Sequence, residues 1–335
     1  MGYDAETMAS ARRAFQADKD KRDAQFAQRT QEIYSRLPRV AEIDRTLRTT
    51  VGNLMIAAFT QDTDPEVALA SLRDQNLALQ RERAELLVGS GYAYDALDEV
   101  VQCNYCDDTG MLPDGSPCRC LLAYYTREQN RRLSKLLDLG NQSFDTFSLD
   151  WYDTETIAEF KRSPRTNMER ILHCCTNYAK TFATRTGNLL FTGAPGLGKT
   201  FLSACIAREV STNGFSVVYD TAANIFQQFE RGKFGRESAF DEVPDRDINR
   251  YLNCDLLIMD DLGTEMTTSF VQATVYRIVN ERLMNNRNTI LSTNLTTVDI
   301  GTRYGAAVRS RIEGAYEVMR FFGKDIRILK KKQNK

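Results

Sequence analysis

An eight-residue glycine-containing motif constrains the fold of this chain more than any other feature. Residues 193–200 read GAPGLGKT and fit the pattern G-x-x-x-x-G-K-[ST] at every position. The motif follows the apolar run NLLF and precedes FLSACIAREV, a segment of helical character. In a strand–loop–helix unit of this kind, the loop N–H groups and the positive end of the helix form an anion site. The sequence therefore predicts a phosphate-binding loop at the end of a strand.

The residues of this loop have distinct expected roles in binding a nucleoside triphosphate. Lys199 should reach the β- and γ-phosphates, and Thr200 should ligate Mg²⁺. The residues expected to bind the nucleotide here are Gly193, Ala194, Pro195, Gly196, Leu197, Gly198, Lys199, Thr200 and Phe201.

A second apolar run, LLIMDD, ends in two carboxylates. Asp260 should hold the Mg²⁺ shell, and Asp261 should orient or deprotonate the attacking water. Together with the loop, these carboxylates predict binding and hydrolysis of a nucleoside triphosphate. A switch ATPase and a small-molecule kinase hold a triphosphate in the same way, so both classes stay open on these two motifs alone.

From about residue 153, apolar runs of strand length alternate with segments of helix length. This alternation predicts a parallel sheet covered by helices. The runs expected to form strands are 188–193, 215–220, 255–261, 288–294 and 325–331.

The residues before this region predict helices. A charged segment ending near residue 37, an apolar stripe over 40–54 and a seven-residue leucine repeat over 72–86 indicate three of them. A helical hairpin or small bundle fits this short, partly polar pattern better than a long coiled coil. We expect a helical partner-binding region at 1–100, a cysteine module with a connecting helix at 101–140, and an ATPase domain at 141–335.

Four of the eight cysteines lie between residues 103 and 120. Cys103 and Cys106 form a C-x-x-C pair, and Cys118 and Cys120 form a C-x-C pair after a turn that contains glycine and proline. Two such pairs can form a tetrahedral site of four thiolate ligands, so zinc is the expected metal ion. An iron–sulfur cluster, a redox dithiol and unpaired cysteines stay open as alternatives.

Composition excludes some classes of protein. A net charge of -1 and a pI near 6.1 argue against a protein that coats nucleic acid by bulk charge. No apolar stretch reaches the roughly 18 residues needed to span a bilayer. We expect a cytoplasmic protein without a membrane partner.

The motifs together resemble replicative-helicase loaders of the DnaC/DnaI type, a family of AAA+ ATPases. The resemblance rests on GAPGLGKT, LLIMDDLGTE, STNL, RYGAAVRSRI and GKDIR, in that order, and covers about residues 141–331. The stretch CNYCDDTG…CRC is similar to the cysteine module that precedes the ATPase in many members. The resemblance implies an AAA+ P-loop NTPase fold with a parallel five-stranded sheet.

The resemblance also implies further site residues and partners. Asn294 takes the position of a water-positioning sensor, Arg311 that of a finger reaching a neighbour's ATP, and Arg327 that of a phosphate contact from the lid. The implied catalytic residues are thus Lys199, Asp260, Asp261, Asn294 and Arg311. The implied partners are the replicative helicase, bound by the amino-terminal region, further copies of the chain, and single-stranded DNA near Arg231, Lys233 and Arg236.

Two alternatives to a helicase loader remain. The same core is similar to IstB-type transposition helper ATPases, which act on duplex DNA and typically lack a long helical region with a cysteine module. A small-molecule P-loop kinase is disfavoured, because the acidic strand, the Asn294 strand and the arginine-bearing segment follow the AAA+ order.

Overall fold

A computed structural model describes residues 3–60, 65–99, 101–137, 142–183, 187–234 and 243–333. Within these ranges, the side chains of 50–60, 65–71, 134–137, 233–234 and 243–247 are not described. The chain divides into two compact units. One consists of Met1–Arg13 with Arg119–Lys335, and the other is Ala14–Cys118.

Helices dominate the unit Ala14–Cys118. Helix α1 (Ala5–Arg36) continues into this unit, followed by α2 (Pro38–Thr60) and α3 (Pro65–Gly89). Proline is favoured in the first turn of a helix because its missing N–H has no partner to lose there, which suits the starts of α2 and α3. A small core of Ile33, Val40, Leu87 and Leu97 joins these helices. The predicted helical amino-terminal region is confirmed.

Five parallel strands form the sheet of the larger unit. They are β1 (Asn188–Thr192), β2 (Val217–Thr221), β3 (Leu256–Leu262), β4 (Asn288–Thr293) and β5 (Tyr316–Arg320), and their order is β2-β3-β4-β1-β5. Strand β4 therefore lies between the strand before the glycine-containing loop and the acidic strand. Because the strands are parallel, the residues that follow β1, β3 and β4 meet at one edge of the sheet.

Helices cover both faces of this sheet. From Arg119 onward, the described helices of this unit are α4 (Arg119–Leu137), α5 (Pro164–Lys180), α6 (Lys199–Thr212), α7 (Ala222–Phe234), α8 (Val243–Asn253), α9 (Ser269–Met284), α10 (Thr297–Tyr304), α11 (Ala306–Ala315) and α12 (Ile326–Gln333). Alternate strand residues enter two separate cores: Leu189 and Ile258 lie in one, and Leu190 and Leu257 in the other. Burial on both faces explains why the strands read as continuous apolar runs.

One predicted strand is wrong. Residues 326–331 of the run DIRILKK belong to helix α12, which Asp325 directly precedes, and the fifth strand is β5, with the sequence YEVMR. Asp325 begins the helix, because its carboxylate accepts a hydrogen bond from the Arg327 N–H (2.8 Å) and its carbonyl accepts one from the Leu329 N–H (3.2 Å). The prediction of a five-stranded parallel sheet is confirmed.

Among the helices that the structure describes, none combines the length and the apolar character needed to cross a membrane.

Candidate functional site

The glycine-containing loop follows β1 and wraps over the amino end of α6. Gly193 has φ 147° and Gly196 has φ 76°, both in the region that favours glycine. A Cβ atom on Gly193 would lie 2.1 Å from the Phe321 carbonyl oxygen, and one on Gly196 would lie 2.0 Å from Asp325 Oδ1. The Ile326 N–H also donates to the Gly196 carbonyl (3.0 Å). The segment after β5 thus packs directly on the loop, and only glycine leaves it room.

Lys199 is the first residue of α6, and its ammonium lies under the loop. The Nζ atom donates to the carbonyls of Gly193 (2.6 Å) and Ala194 (2.9 Å), and the residue is only 8% exposed. Burial lowers the pKa of the ammonium, and the nearby Asp260 carboxylate opposes this shift. The Lys199 ammonium is therefore positioned beside the site where phosphate would bind.

Thr200 and Asp260 form the centre of the polar site. The Thr200 hydroxyl donates to Asp260 Oδ2 (2.9 Å), and the Asp261 N–H donates to Asp260 Oδ1 (3.0 Å). The Tyr219 hydroxyl, from β2, also donates to Asp260 Oδ2. Asp260 is 3% exposed, so these donors compensate for its burial. The Thr200 hydroxyl and the carboxylate are the oxygen donors that Mg²⁺ prefers, so the pair fits this ion.

Asp261 differs from Asp260 in its surroundings. It has a left-handed backbone (φ 55°), and its side chain lines a cavity. Partial burial raises the pKa of its carboxyl group, and Asp260 raises it further, while Lys199 and Arg327 oppose both effects. A turn follows at once, because the Thr264 hydroxyl donates to the Asp261 carbonyl (2.9 Å).

A cavity of about 470 Å³ lies beside the loop. The predicted site residues that line it are Pro195, Gly196, Gly198, Lys199, Thr200, Phe201, Asp261, Asn294 and Arg327. Gly193 and Ala194 contribute the carbonyls that hold Lys199, and the Leu197 side chain is buried in the core. The size is suitable for a small-molecule ligand.

Aromatic side chains form one wall of the cavity. Phe147 meets Phe201 edge to face with ring centroids 5.4 Å apart and stacks on Tyr152 at 5.9 Å. The Lys330 ammonium lies 5.4 Å from the centre of the Trp151 ring. The sequence indicated only a linker with aromatic anchors at 141–152 and did not place Phe147, Trp151, Tyr152 or Lys330 at the site. The density of aromatic residues in this segment was the available signal.

Arg311 does not line this cavity. It lies on α11, where its guanidinium donates to Asn280 Oδ1 (2.9 Å), to the Tyr276 hydroxyl (3.0 Å) and to the Ala307 carbonyl (3.2 Å). It also lies 4.7 Å from the centre of the Tyr276 ring. Contacts within the same chain therefore hold Arg311 in place, and its side chain does not line the cavity.

The residues predicted to contact single-stranded DNA are only partly described. Arg231 is exposed near the end of α7. The Lys233 side chain and the whole of Arg236 lie outside the described residues.

The four clustered cysteines converge. The sulfur atoms of Cys103, Cys106, Cys118 and Cys120 all lie within 4.8 Å of one another. Cys103 Sγ and Cys118 Sγ are 3.6 Å apart. A tetrahedral zinc site with Zn–S bonds near 2.3 Å requires sulfur separations of about 3.8 Å, so the four thiols fit this ion. Asp108 shapes the first pair, because its carboxylate accepts the N–H groups of Gln102 (3.0 Å) and Cys103 (2.9 Å).

The sheet order and the loop together define the class of the fold. A strand inserted between the loop strand and the acidic strand, with Asn294 directly after it, places the larger unit among AAA+ P-loop NTPases. The family model described as "IstB-like ATP binding protein" matches residues 153–311. The replicative helicase loader DnaC of Escherichia coli strain K12 is 27% identical over 135 residues, which are 40% of this chain and 54% of that protein.

A second curated relative and one solved structure are also similar to this chain. The replicative helicase loader DnaC of Buchnera aphidicola subsp. Baizongia pistaciae is 27% identical over 127 residues, 38% of this chain and 50% of that protein. The chain thus spans about half the length of the curated relatives it matches. A crystal structure of the DnaC helicase loader aligns with a TM-score of 0.42, 22% identity and coverage of 53% of this chain and 98% of that chain. The sequence matches confirm the resemblance to DnaC-type loaders and IstB-like proteins.

Proposed function

We propose that this protein is an ATP-dependent loader of a replicative DNA helicase. The observation that carries its ATP dependence is the convergence of Lys199, Asp261 and Arg327 on one cavity, above the Thr200–Asp260 pair. The similarity to replicative helicase loaders supports this AAA+ role over others.

In the proposed complex, the triphosphate lies against the loop and its base lies against the aromatic wall. The phosphates bind to the loop N–H groups, and Lys199 exchanges its two carbonyl partners for phosphate oxygens. Arg327, exposed at the start of α12, adds a second cation from the opposite side. The aromatic wall then offers its ring faces to the base. Thr200 and Asp260 would hold Mg²⁺, which neutralises charge on the β- and γ-phosphate oxygens.

Hydrolysis requires a base and a positioned water. Asp261 has the accessible carboxylate and a raised pKa, which suits a general base better than an ordinary aspartate. Asn294 lines the same cavity and can orient the water. Arg311 does not line its own chain's cavity, and in this proposal it acts on the ATP of a neighbouring copy. We therefore propose self-association through the AAA+ domain.

We assign the binding of the remaining partners to other parts of the chain. Residues 1–100 bind the helicase, and the AAA+ domain binds single-stranded DNA near Arg231. Four thiolates hold Zn²⁺, which fixes the shape of residues 103–120 and has no catalytic role. This assignment keeps the domain boundaries near residues 100 and 140 that the sequence predicts.

A loading assay tests the proposal. The purified chain, the replicative helicase of its source and circular single-stranded DNA are mixed with or without ATP, and DNA-bound helicase is measured. Wild type and Lys180→Ala, which changes an exposed lysine at the end of α5, should increase bound helicase when ATP is present. Lys199→Ala should not respond to ATP. A chain that neither binds the helicase nor alters its loading refutes the proposal.

A transposition helper is the second candidate, favoured by the IstB-like match over residues 153–311. Such a protein would assemble on duplex DNA. Binding to duplex and single strands of equal length, compared at matched salt, separates the two functions. Preference for the duplex would favour the transposition helper.

A further inference from the structure

The turn after β3 links two parts of the AAA+ domain. Thr264 lines the cavity beside Asp261, and the next residue, Glu265, does not line it. Glu265 instead contacts the end of α10. Two neighbouring residues of one short turn therefore have different contacts. Thr264 lies at the candidate ATP site, and Glu265 contacts α10, which contains no residue of the glycine-containing loop.

Glu265 has an unusually complete set of partners. Its side chain is 7% exposed, and Oε2 accepts the N–H of Gly263 (2.9 Å) while Oε1 accepts the Tyr304 hydroxyl. Arg303 donates to the Glu265 carbonyl, and its Nε atom lies 3.8 Å from Oε1. A buried carboxylate with several donors has few alternative arrangements, because leaving any one of them unpaired is costly.

The Tyr304 side chain is also buried at its contact with Glu265. It is 3% exposed, and burial, followed by the hydrogen bond to Glu265, raises the pKa of its phenol. The phenol therefore keeps its proton at neutral pH and remains a donor. On the other side of α10, Gln272 of α9 donates to the Arg303 carbonyl (2.8 Å).

Helix α10 is in turn closely packed against α11. Only Gly305 separates the two helices. A Cβ atom on Gly301 would lie 2.7 Å from Arg309 Cδ, so α10 and α11 pack closely. Arg311 lies two residues after Arg309 on α11. These contacts connect the turn at Glu265, through α10, to the helix that carries Arg311.

We infer that Glu265 is a positioning residue that couples occupancy of the ATP cavity to the placement of Arg311. The inference rests on the proposed ATP binding. A bound γ-phosphate meets the turn through Asp261 and Thr264, and Glu265 passes the resulting displacement to Tyr304 and Arg303. In this arrangement, a subunit presents its arginine to a neighbour according to its own nucleotide state. The motifs LGTE and RYG then act as the two halves of one contact.

Hydrogen exchange of the full chain tests this coupling. Amide exchange is measured with and without a non-hydrolysable ATP analogue and Mg²⁺, at a concentration where light scattering shows single chains. Two segments are followed: residues 188–200 report nucleotide binding, and residues 306–315 report α11. Glu265→Gln keeps the size of the side chain and removes its charge. Tyr304→Phe, which removes a single hydroxyl, decides the question if Glu265→Gln does not fold.

The matched control is Glu281→Gln. Glu281 is partly exposed on α9 and pairs with Arg277 (2.8 Å), so the same substitution breaks an ion pair that does not join the turn to α10. In wild type and this control, the analogue should slow exchange in both segments, by about fivefold or more at 306–315. In Glu265→Gln and Tyr304→Phe, the effect at 188–200 should remain and that at 306–315 should fall below about twofold.

Two results overturn the inference, and they are distinguishable. If the analogue protects 188–200 in wild type but leaves 306–315 unchanged, or acts equally in wild type and Glu265→Gln, ATP binding stands and the coupling fails. If the analogue does not protect 188–200 in wild type, the proposed ATP binding fails and the inference fails with it.

Discussion

Asp260 is the residue at which the polar contacts of the site meet. Its two oxygens accept hydrogen bonds from Thr200, Tyr219 and the backbone of Asp261, and it is almost fully buried. Asp261, one residue later, has no such set of donors and lines the cavity. The two carboxylates therefore suit the different tasks that we propose: Asp260 would hold Mg²⁺, and Asp261 would act on the attacking water.

Replacing Asp261 with Asn should separate binding from hydrolysis. Asparagine has nearly the same shape and tolerates the left-handed backbone at this position, but it cannot accept a proton. ATP affinity should stay within about twofold, while the hydrolysis rate should fall by about 10² or more, the usual contribution of a general base. Single-turnover hydrolysis and calorimetric binding check this. An unchanged hydrolysis rate would remove Asp261 from the catalytic residues.

The sequence was informative about individual residues where the motif itself encodes local geometry. Lys199 and Thr200 follow from the spacing of one strand–loop–helix unit, and Asp260 from the end of an apolar strand. Tyr219 could not be predicted, because its hydroxyl reaches Asp260 through the pairing of β2 with β3, in which Thr221 lies opposite Asp260. Sequence spacing does not reveal such a pairing.

Helix α12 shows where prediction of elements from sequence fails. The run DIRILKK is short, with three apolar and four charged residues, and such a run does not separate strand from helix. Its helical state depends on the Asp325 cap and on contact with Gly196, which is distant in sequence. The three central strands, β1, β3 and β4, were predictable because both faces of each are buried. Strand β5 was missed because it lies at the sheet edge, where only Tyr316 and Met319 are buried.

The cysteine module is the other element that carries a prediction. Wild-type protein should purify with about one zinc per chain, and Cys118→Ser should lose it, because three thiolates leave the tetrahedral site incomplete. Cys174→Ser is the control, since Cys174 is partly buried on α5 and lies outside the cluster. Metal analysis and removal by a chelator provide the measurement. Iron in place of zinc would replace the assignment, and absence of both would reject a metal site.

At the scale of the whole molecule, the chain combines a helical unit with a unit that has an AAA+ P-loop fold. The helical unit contains a small core and ion pairs between helices, such as Arg39 with Glu82 (2.8 Å). The larger unit contains the cavity and Arg311. The sequence predicted the helical unit and the unit with a parallel sheet. The spacing of apolar residues is helical in the first part of the chain, and strand-length apolar runs alternate with helix-length segments in the second. The partners of each unit and the predicted domain boundaries stay predictions.

Direct measurement of Mg²⁺·ATP binding tests the central claim, that the cavity beside residues 193–200 is an ATP site. Titration calorimetry compares wild type, Lys199→Ala and the control Lys180→Ala. Wild type and control should bind one ATP per chain with equal affinity. Lys199→Ala should bind at least about tenfold more weakly, because it loses a charge-assisted contact to phosphate. A wild-type chain that binds no ATP, or a Lys199→Ala variant that binds it as wild type does, would contradict the account.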